Sequence, residues 1–194
     1  MLKELFNEKK AAQVAAFFLI QAKTPLEILK LMKLMYLAER RSYEFYGEGI
    51  TGDRLVSMEH GPVLSITLNH MNGSRNSGVD GWETWVADRA EHNLSLTHDK
   101  RHVTVDDLLE LSDADVVILE ETWKQFGRMS KYEVRDYTHE GGCPEWQDPD
   151  GSSIAIKPED LFKALKFSSE QSTAYLGRMK QQAAINAAHS TLIR

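Results

Sequence analysis

Seven histidines and one cysteine are the side chains here best suited to holding a metal or acting as a nucleophile, and their spacing limits which of those uses is open. His98 and His102 stand four apart, as two zinc ligands on one helical turn would. The intervening Asp99-Lys100-Arg101 lacks the glutamate of a helical zinc-protease motif and falls where a turn is expected. His139, Cys143 and Glu145 share one stretch and could ligate zinc or form a thiol site, yet no fourth ligand stands near them. A histidine bonded to backbone is the simpler role for His139. A Cys143–His139 nucleophile pair would further need an orienting group and an oxyanion pocket, and Cys143 before Pro144 reads as a turn residue. Glu120, Glu121, Glu133 and Asp136 read as solvated helix faces, whereas acid–base work needs one of them buried. The glycines form neither phosphate-binding loop pattern, so nucleotide binding has no support. No catalysis, cofactor or metal is expected; a metal- or Cys/His-dependent hydrolase using His60, His139 and Cys143 is the alternative from another class.

The elements that must position these groups are mostly helical. Apolar residues recur at three and four positions from Leu5 to Ala22, which predicts a first helix. Thr24-Pro25 supplies an N-cap and a first-turn proline for a second helix reaching about Phe45. Its Leu, Ile and Met residues spread around most of the circumference, so it should be the central helix. Gly47, Gly49 and Gly52 end it, and Pro62 to Met71 reads as a third helix. After a Gly/Ser/Asn-rich loop from Gly73 to Gly81, alternation over Trp82–Asp88 and His92–Thr97 suggests a β-hairpin turning near Arg89 to Glu91. Helices follow at Ser112–Gly127 and from Ser130, whose Glu133 completes a capping box, to about Thr138. Two more run from Lys157-Pro158 to Lys166 and from Ser169 to about Ala188. The fold class is mainly α: one compact helical domain over residues 1–194, about seven helices around a central apolar helix, with a small β-hairpin insertion.

A chain of 194 residues that is 42% apolar can close one core. Its longest apolar stretches are too short or too interrupted by Glu27, Lys30 and Lys33 to cross a membrane, and Met1-Leu2-Lys3-Glu4 does not resemble a signal peptide. A lone cysteine suits a reducing compartment, and the cytoplasm is the expected location. A net charge of −6 argues against a phosphate backbone as the main partner, so nucleic acid is disfavoured.

Three segments are more specific when taken together. Leu31-Met32-Lys33-Leu34-Met35-Tyr36-Leu37-Ala38-Glu39-Arg40 is followed by Tyr46-Gly47, Ile50-Thr51-Gly52-Asp53 and Met58-Glu59-His60-Gly61-Pro62-Val63; Met129-Ser130, Thr138-His139 and Pro144-Glu145-Trp146 come later. In this order they resemble the Panacea domain of SocA-like and phage-associated GepA-like antitoxins, over roughly residues 9 to 150. The resemblance implies a mainly helical antitoxin that binds a cognate protein toxin; the SocA branch also delivers toxin to a protease, so an adaptor touching an unfoldase is the nearer alternative. Physically, Leu31, Leu34, Met35 and Leu37 read as core, and Lys33 and Tyr36 as a polar network just beneath the surface. His60-Gly61-Pro62 reads as a turn with close backbone approach whose proline starts the third helix, while the His139 and Trp146 rings are expected to pack together with their nitrogens on backbone partners, and Thr138-His139 belongs to the family motif.

Neutralisation would need a desolvated patch with aromatic, Met or Arg anchors. Trp82 and Trp85 with Arg75 and Arg89 form one such region, on the expectation that these tryptophans face solvent. The other is the C-terminal helix with Tyr175 and Met179, which could instead pack on its own domain or on a second copy.

Overall fold

In a computed structural model, which describes residues 3–87 and 90–192, the ordered elements are eight α-helices, three single-turn 3-10 helices and two small antiparallel sheets. The helices are α1 (Glu8–Ala22), α2 (Ile28–Tyr46), α3 (Ser65–Met71), α4 (Trp82–Trp85), α5 (Asp113–Phe126), α6 (Lys131–His139), α7 (Pro158–Ala164) and α8 (Ser169–Leu192). β1 (Leu26–Glu27) pairs with β4 (Asn93–Leu94), and β2 (Leu55–Met58) lies between β3 (Gly61–Leu64) and β5 (Ile154–Ala155).

Every residue of α2 from Leu31 to Glu39 is buried, which is the consequence of its apolar content on all sides. It touches α1, α5, α6, β1 and β3 and is the axis of the core, as its pattern predicts. Its start differs from the expectation. Leu26 and Glu27 are extended to pair with Leu94 and Asn93, and the Ile28 N–H donates to the His92 carbonyl at 2.8 Å. A strand partner thus satisfies an N-terminal donor that Thr24-Pro25 was expected to cap.

The predicted third helix is also shorter. Pro62 belongs to β3, opposite Ser57, and helix begins only at Ser65. Proline is tolerated there because β3 is an edge strand. No side chain of Leu64 caps α3; instead the buried Asp53 carboxylate accepts from the N–H groups of Ile66 and Thr67, at 2.9 and 2.7 Å. The hairpin expected over Trp82–Thr97 survives as the antiparallel bridges Val86–Leu96 and Ala90–Asn93, while Trp82–Trp85 is a helical turn; Arg89 lies outside the described residues. The capping box expected at Ser130 forms, and another is found at Ser112. α8 runs to Leu192 and lays Met179 and Ala183 onto the body of the protein. Among the described residues, no helix is long and apolar enough to cross a membrane.

Candidate functional site

Helical spacing puts Lys33, Tyr36 and Arg40 along one face of α2, and this face meets the β2–β3 hairpin, the end of α6 and the loop after it. Lys33 is wholly buried and its Nζ donates to the Pro62 carbonyl at 2.7 Å. Met32 Sδ accepts from the Leu64 N–H at 3.3 Å, so side chains of α2 close the free edge of β3. Tyr36 Oη donates to Glu145 Oε1 at 2.8 Å and Arg40 Nε donates to the same oxygen at 2.9 Å.

Gly61 lies where these segments meet. Its φ of +94° belongs to glycine, and a Cβ there would stand 2.6 Å from Thr138 Oγ1, 2.9 Å from Lys33 Nζ and 3.0 Å from His139 Nε2. The His139 and Trp146 rings stack with centroids 4.3 Å apart and planes 8° from parallel. Trp146 Nε1 donates to the Met58 carbonyl at 3.0 Å, which ties the loop after α6 to β2. Thus the motif residues Lys33, Tyr36, His60, Gly61, Pro62, Thr138, His139 and Trp146, distant in sequence, surround one junction.

Burial governs the ionisation of this cluster. It pulls the Lys33 ammonium down to about 7, with no carboxylate among the described residues within 4.0 Å to oppose the shift. The Cys143 thiol is pushed far above its ordinary range by burial and by the Glu145 charge beside it. Burial, with Lys33 and Arg135 nearby, also lowers His139, whose Nε2 has no hydrogen-bond partner among the described residues. A thiol held protonated in this way is the reverse of an activated nucleophile. Among the described residues no three His, Cys, Asp or Glu side chains are gathered as a metal would require.

Beside the junction opens a groove of about 460 Å³. Leu29, Met32, Met58, Val63 and Leu68 give it apolar walls, Lys33 and Gly61 contribute to its floor, and Glu59, His60 and His92 stand at its mouth. Glu27, also on the rim, is ion-paired with Lys131.

The other expected contact residues are placed differently. Trp82 and Trp85 are 3% and 7% exposed, so the expectation that they face solvent is corrected: Trp82 stacks on His70, and Trp85 lies under the Lys100 ammonium. Arg75 is exposed beside them. Tyr175 packs against Phe162 and Phe167, and its ring occupies the space that a Cβ on Gly47 would need. Met179 is buried, so both residues bind α8 to its own domain. Sequence reasoning did not join Arg40 to Glu145. The spacing of 33, 36 and 40 on an otherwise apolar helix is the signal that could have joined Arg40 to the buried set, but only tertiary structure brings Glu145 to it. Glu39 and Asp53, each accepting backbone N–H groups in the interior, were not anticipated at all.

A family model described as the antitoxin SocA-like, Panacea domain matches residues 31–147, more than half of the chain. The matched segment opens at Leu31, just before Lys33, and closes just after Trp146, so it contains the whole junction. No curated protein and no solved structure matches the chain.

Proposed function

The chain belongs to the SocA-like Panacea domain family of antitoxins, and on that premise we propose that it neutralises a cognate protein toxin by stoichiometric binding, without chemical turnover. The observation that carries this reading is the match over residues 31–147, because it covers every segment that builds the junction and most of those that line its groove. The chemistry of the cluster favours the same view. Glu145 spends one oxygen on Tyr36 and Arg40, Lys33 closes a strand edge, and Cys143 is kept as a thiol. Such bonds hold three segments in fixed register, which is what a preformed protein-binding surface requires. The net charge of −6 makes a protein a better partner than a nucleic acid.

Co-expression with the protein encoded beside this chain tests the proposal. Growth should stop when the neighbour is produced alone and resume when both are produced, with the two proteins co-purifying as a complex. A neighbour that does not slow growth and forms no complex would remove the antitoxin reading.

A further inference from the structure

We propose that His70 and Glu8 form an acid-operated latch: a proton taken up from solvent by the buried His70 ring draws the Glu8 carboxylate away from the loop between Gly73 and Gly81 and frees that loop. The inference is independent of which partner the chain binds, and it concerns groups outside the Gly61 junction.

With the latch closed, Glu8 in the first turn of α1 is what holds the loop. Its Oε1 accepts from the Ser77 hydroxyl at 2.8 Å, the Gly78 N–H at 3.0 Å and the Trp82 N–H at 2.9 Å, whereas Oε2 has only a longer bond from the Gly78 N–H, at 3.2 Å. Ser77 Oγ in turn accepts from the Glu83 N–H at 3.1 Å, so one carboxylate organises both the loop and the start of α4. The Lys9–Asp80 ion pair also spans α1 and the loop, but at 3.5 Å and largely exposed it contributes little. Burial pushes the Glu8 carboxyl up, yet the bonds from Trp82, Ser77 and Gly78 outweigh it and hold the group below its ordinary range, so Glu8 stays charged as the medium is acidified.

His70 supplies the trigger. Its side chain is 1% exposed, and its ring lies between those of Phe6 and Trp82, with centroids 6.2 and 5.8 Å away and planes 21° and 24° from parallel. Neither ring nitrogen has a hydrogen-bond partner among the described residues, although a buried polar atom ordinarily finds one. Glu8 Oε2 stands 3.9 Å from Nε2, too far to accept a hydrogen bond and near enough to attract a charge. The other charged groups acting on the ring are Arg75 in the loop, Asp53 before β2 and Glu83 on α4. Arg75 repels a cation, the Asp53 carboxylate is engaged by the Ile66 and Thr67 N–H groups, and Glu83 is exposed, which leaves Glu8 as the acceptor within reach. Burial outweighs the pull of these carboxylates and lowers His70 below its ordinary 6.5, so the ring is neutral at neutral pH and the folded state loses stability as pH falls below 6.5.

Once the ring is charged, it and the loop compete for one carboxylate. An imidazolium–carboxylate bond closes to about 2.8 Å, so Glu8 has to travel about 1 Å toward His70. The ring stays in place, because aromatic faces attract a cation and because Asp53 fixes the start of α3. Glu8, 20% exposed, has room to turn. The loop donors already stand 2.8–3.0 Å from Oε1, and the same movement takes them out of range. A cavity of about 260 Å³ bordered by His70, Arg75, Asn76 and Trp82 adjoins the loop and lets water reach the groups that Glu8 leaves. The two bonding arrangements exclude each other, and acidity selects between them.

NMR and amide hydrogen exchange on the full chain test this. Between about pH 7.5 and about pH 5, protection factors at Gly78 and Trp82, corrected for intrinsic exchange, should fall roughly tenfold or more. The midpoint should coincide with that of the His70 ring signals, while Leu34 in α2 stays protected. His70→Phe keeps a ring between Phe6 and Trp82 but cannot take a proton, and its loop should remain protected over the whole range. Loop protection that does not respond to pH, that falls where His70 does not titrate, or that falls equally in His70→Phe overturns the proposal. Loss of protection at Leu34 together with the loop also overturns it, because the whole fold would then be opening. In the parent chain the Glu8 carboxyl signal should move at the His70 midpoint; a carboxyl that does not respond there overturns the proposal even where the variant fails to fold.

Discussion

Removing the Glu145 carboxylate should destabilise the protein more than any other single truncation in the loop after α6. The Glu145 side chain is 0% exposed, and its Oε1 accepts from Tyr36 Oη at 2.8 Å and from Arg40 Nε at 2.9 Å, Arg40 being only 16% exposed. Glu145→Ala leaves a largely buried guanidinium without its counter-charge and a wholly buried phenol without its acceptor. Losing one partner of a buried pair costs about 3–5 kcal/mol, and the residual exposure of Arg40 favours the lower end, about 3 kcal/mol, because water can reach part of it. The orphaned Tyr36 hydroxyl adds about 1 kcal/mol. The two losses overlap, so a total of about 3–4 kcal/mol is expected. For a chain of this size that corresponds to a fall of roughly 10 °C in the thermal midpoint. Urea unfolding followed by circular dichroism and by tryptophan fluorescence measures it, since Trp146 adjoins the site. A double-mutant cycle then isolates the shared bond: Tyr36→Phe should cost about 1 kcal/mol less in the Glu145→Ala background than in the parent. A loss below about 1 kcal/mol for Glu145→Ala, or strictly additive effects of the two substitutions, would refute the view that this carboxylate holds the loop to α2.

Gly61→Ala combines a φ of +94° with a Cβ driven against Thr138 Oγ1 and Lys33 Nζ, so it should lose at least about 2 kcal/mol in the same urea assay. Glu39, buried and raised to about 7 from 4.5, binds its proton more tightly folded than unfolded. Its contribution is therefore complete below pH 4.5 and lost as pH rises through about 7, and Glu39→Gln should flatten the decline in stability over that window. Lys33 acts in the opposite sense: lowered to about 7 from 10.5, it adds stability as pH rises between those values, and urea midpoints of Lys33→Met should lack that alkaline gain. Cys143, 2% exposed with its thiol pushed up, should resist a thiol reagent such as DTNB until urea unfolds the chain; rapid reaction of the native protein would show that the loop opens.

Much of the helical plan was legible because its signals are local. The all-round apolar surface of α2, the capping box at Ser130 and the first-turn proline of α7 each act within a few residues, so periodicity and side-chain type suffice to read them. The ordered motifs from Leu31 to Trp146 likewise pointed to the family from sequence. What sequence could not decide were the competitions between local preference and distant partners. Leu26 and Glu27 extend because Leu94 and Asn93 lie beside them, and Pro62 enters an edge strand because Ser57 is opposite it. Trp82 and Trp85 turn inward because the core offers His70 and apolar neighbours, although their loop-rich surroundings suggested exposure. The junction itself depends on chain closure: Lys33 and His139 acquire their shifted ionisation, and Gly61 and Glu145 their close contacts, only when three segments separated by tens of residues pack together. Composition and spacing named most of these residues, but the desolvation that sets their chemistry exists only in the tertiary structure, since it depends on which atoms exclude water from them.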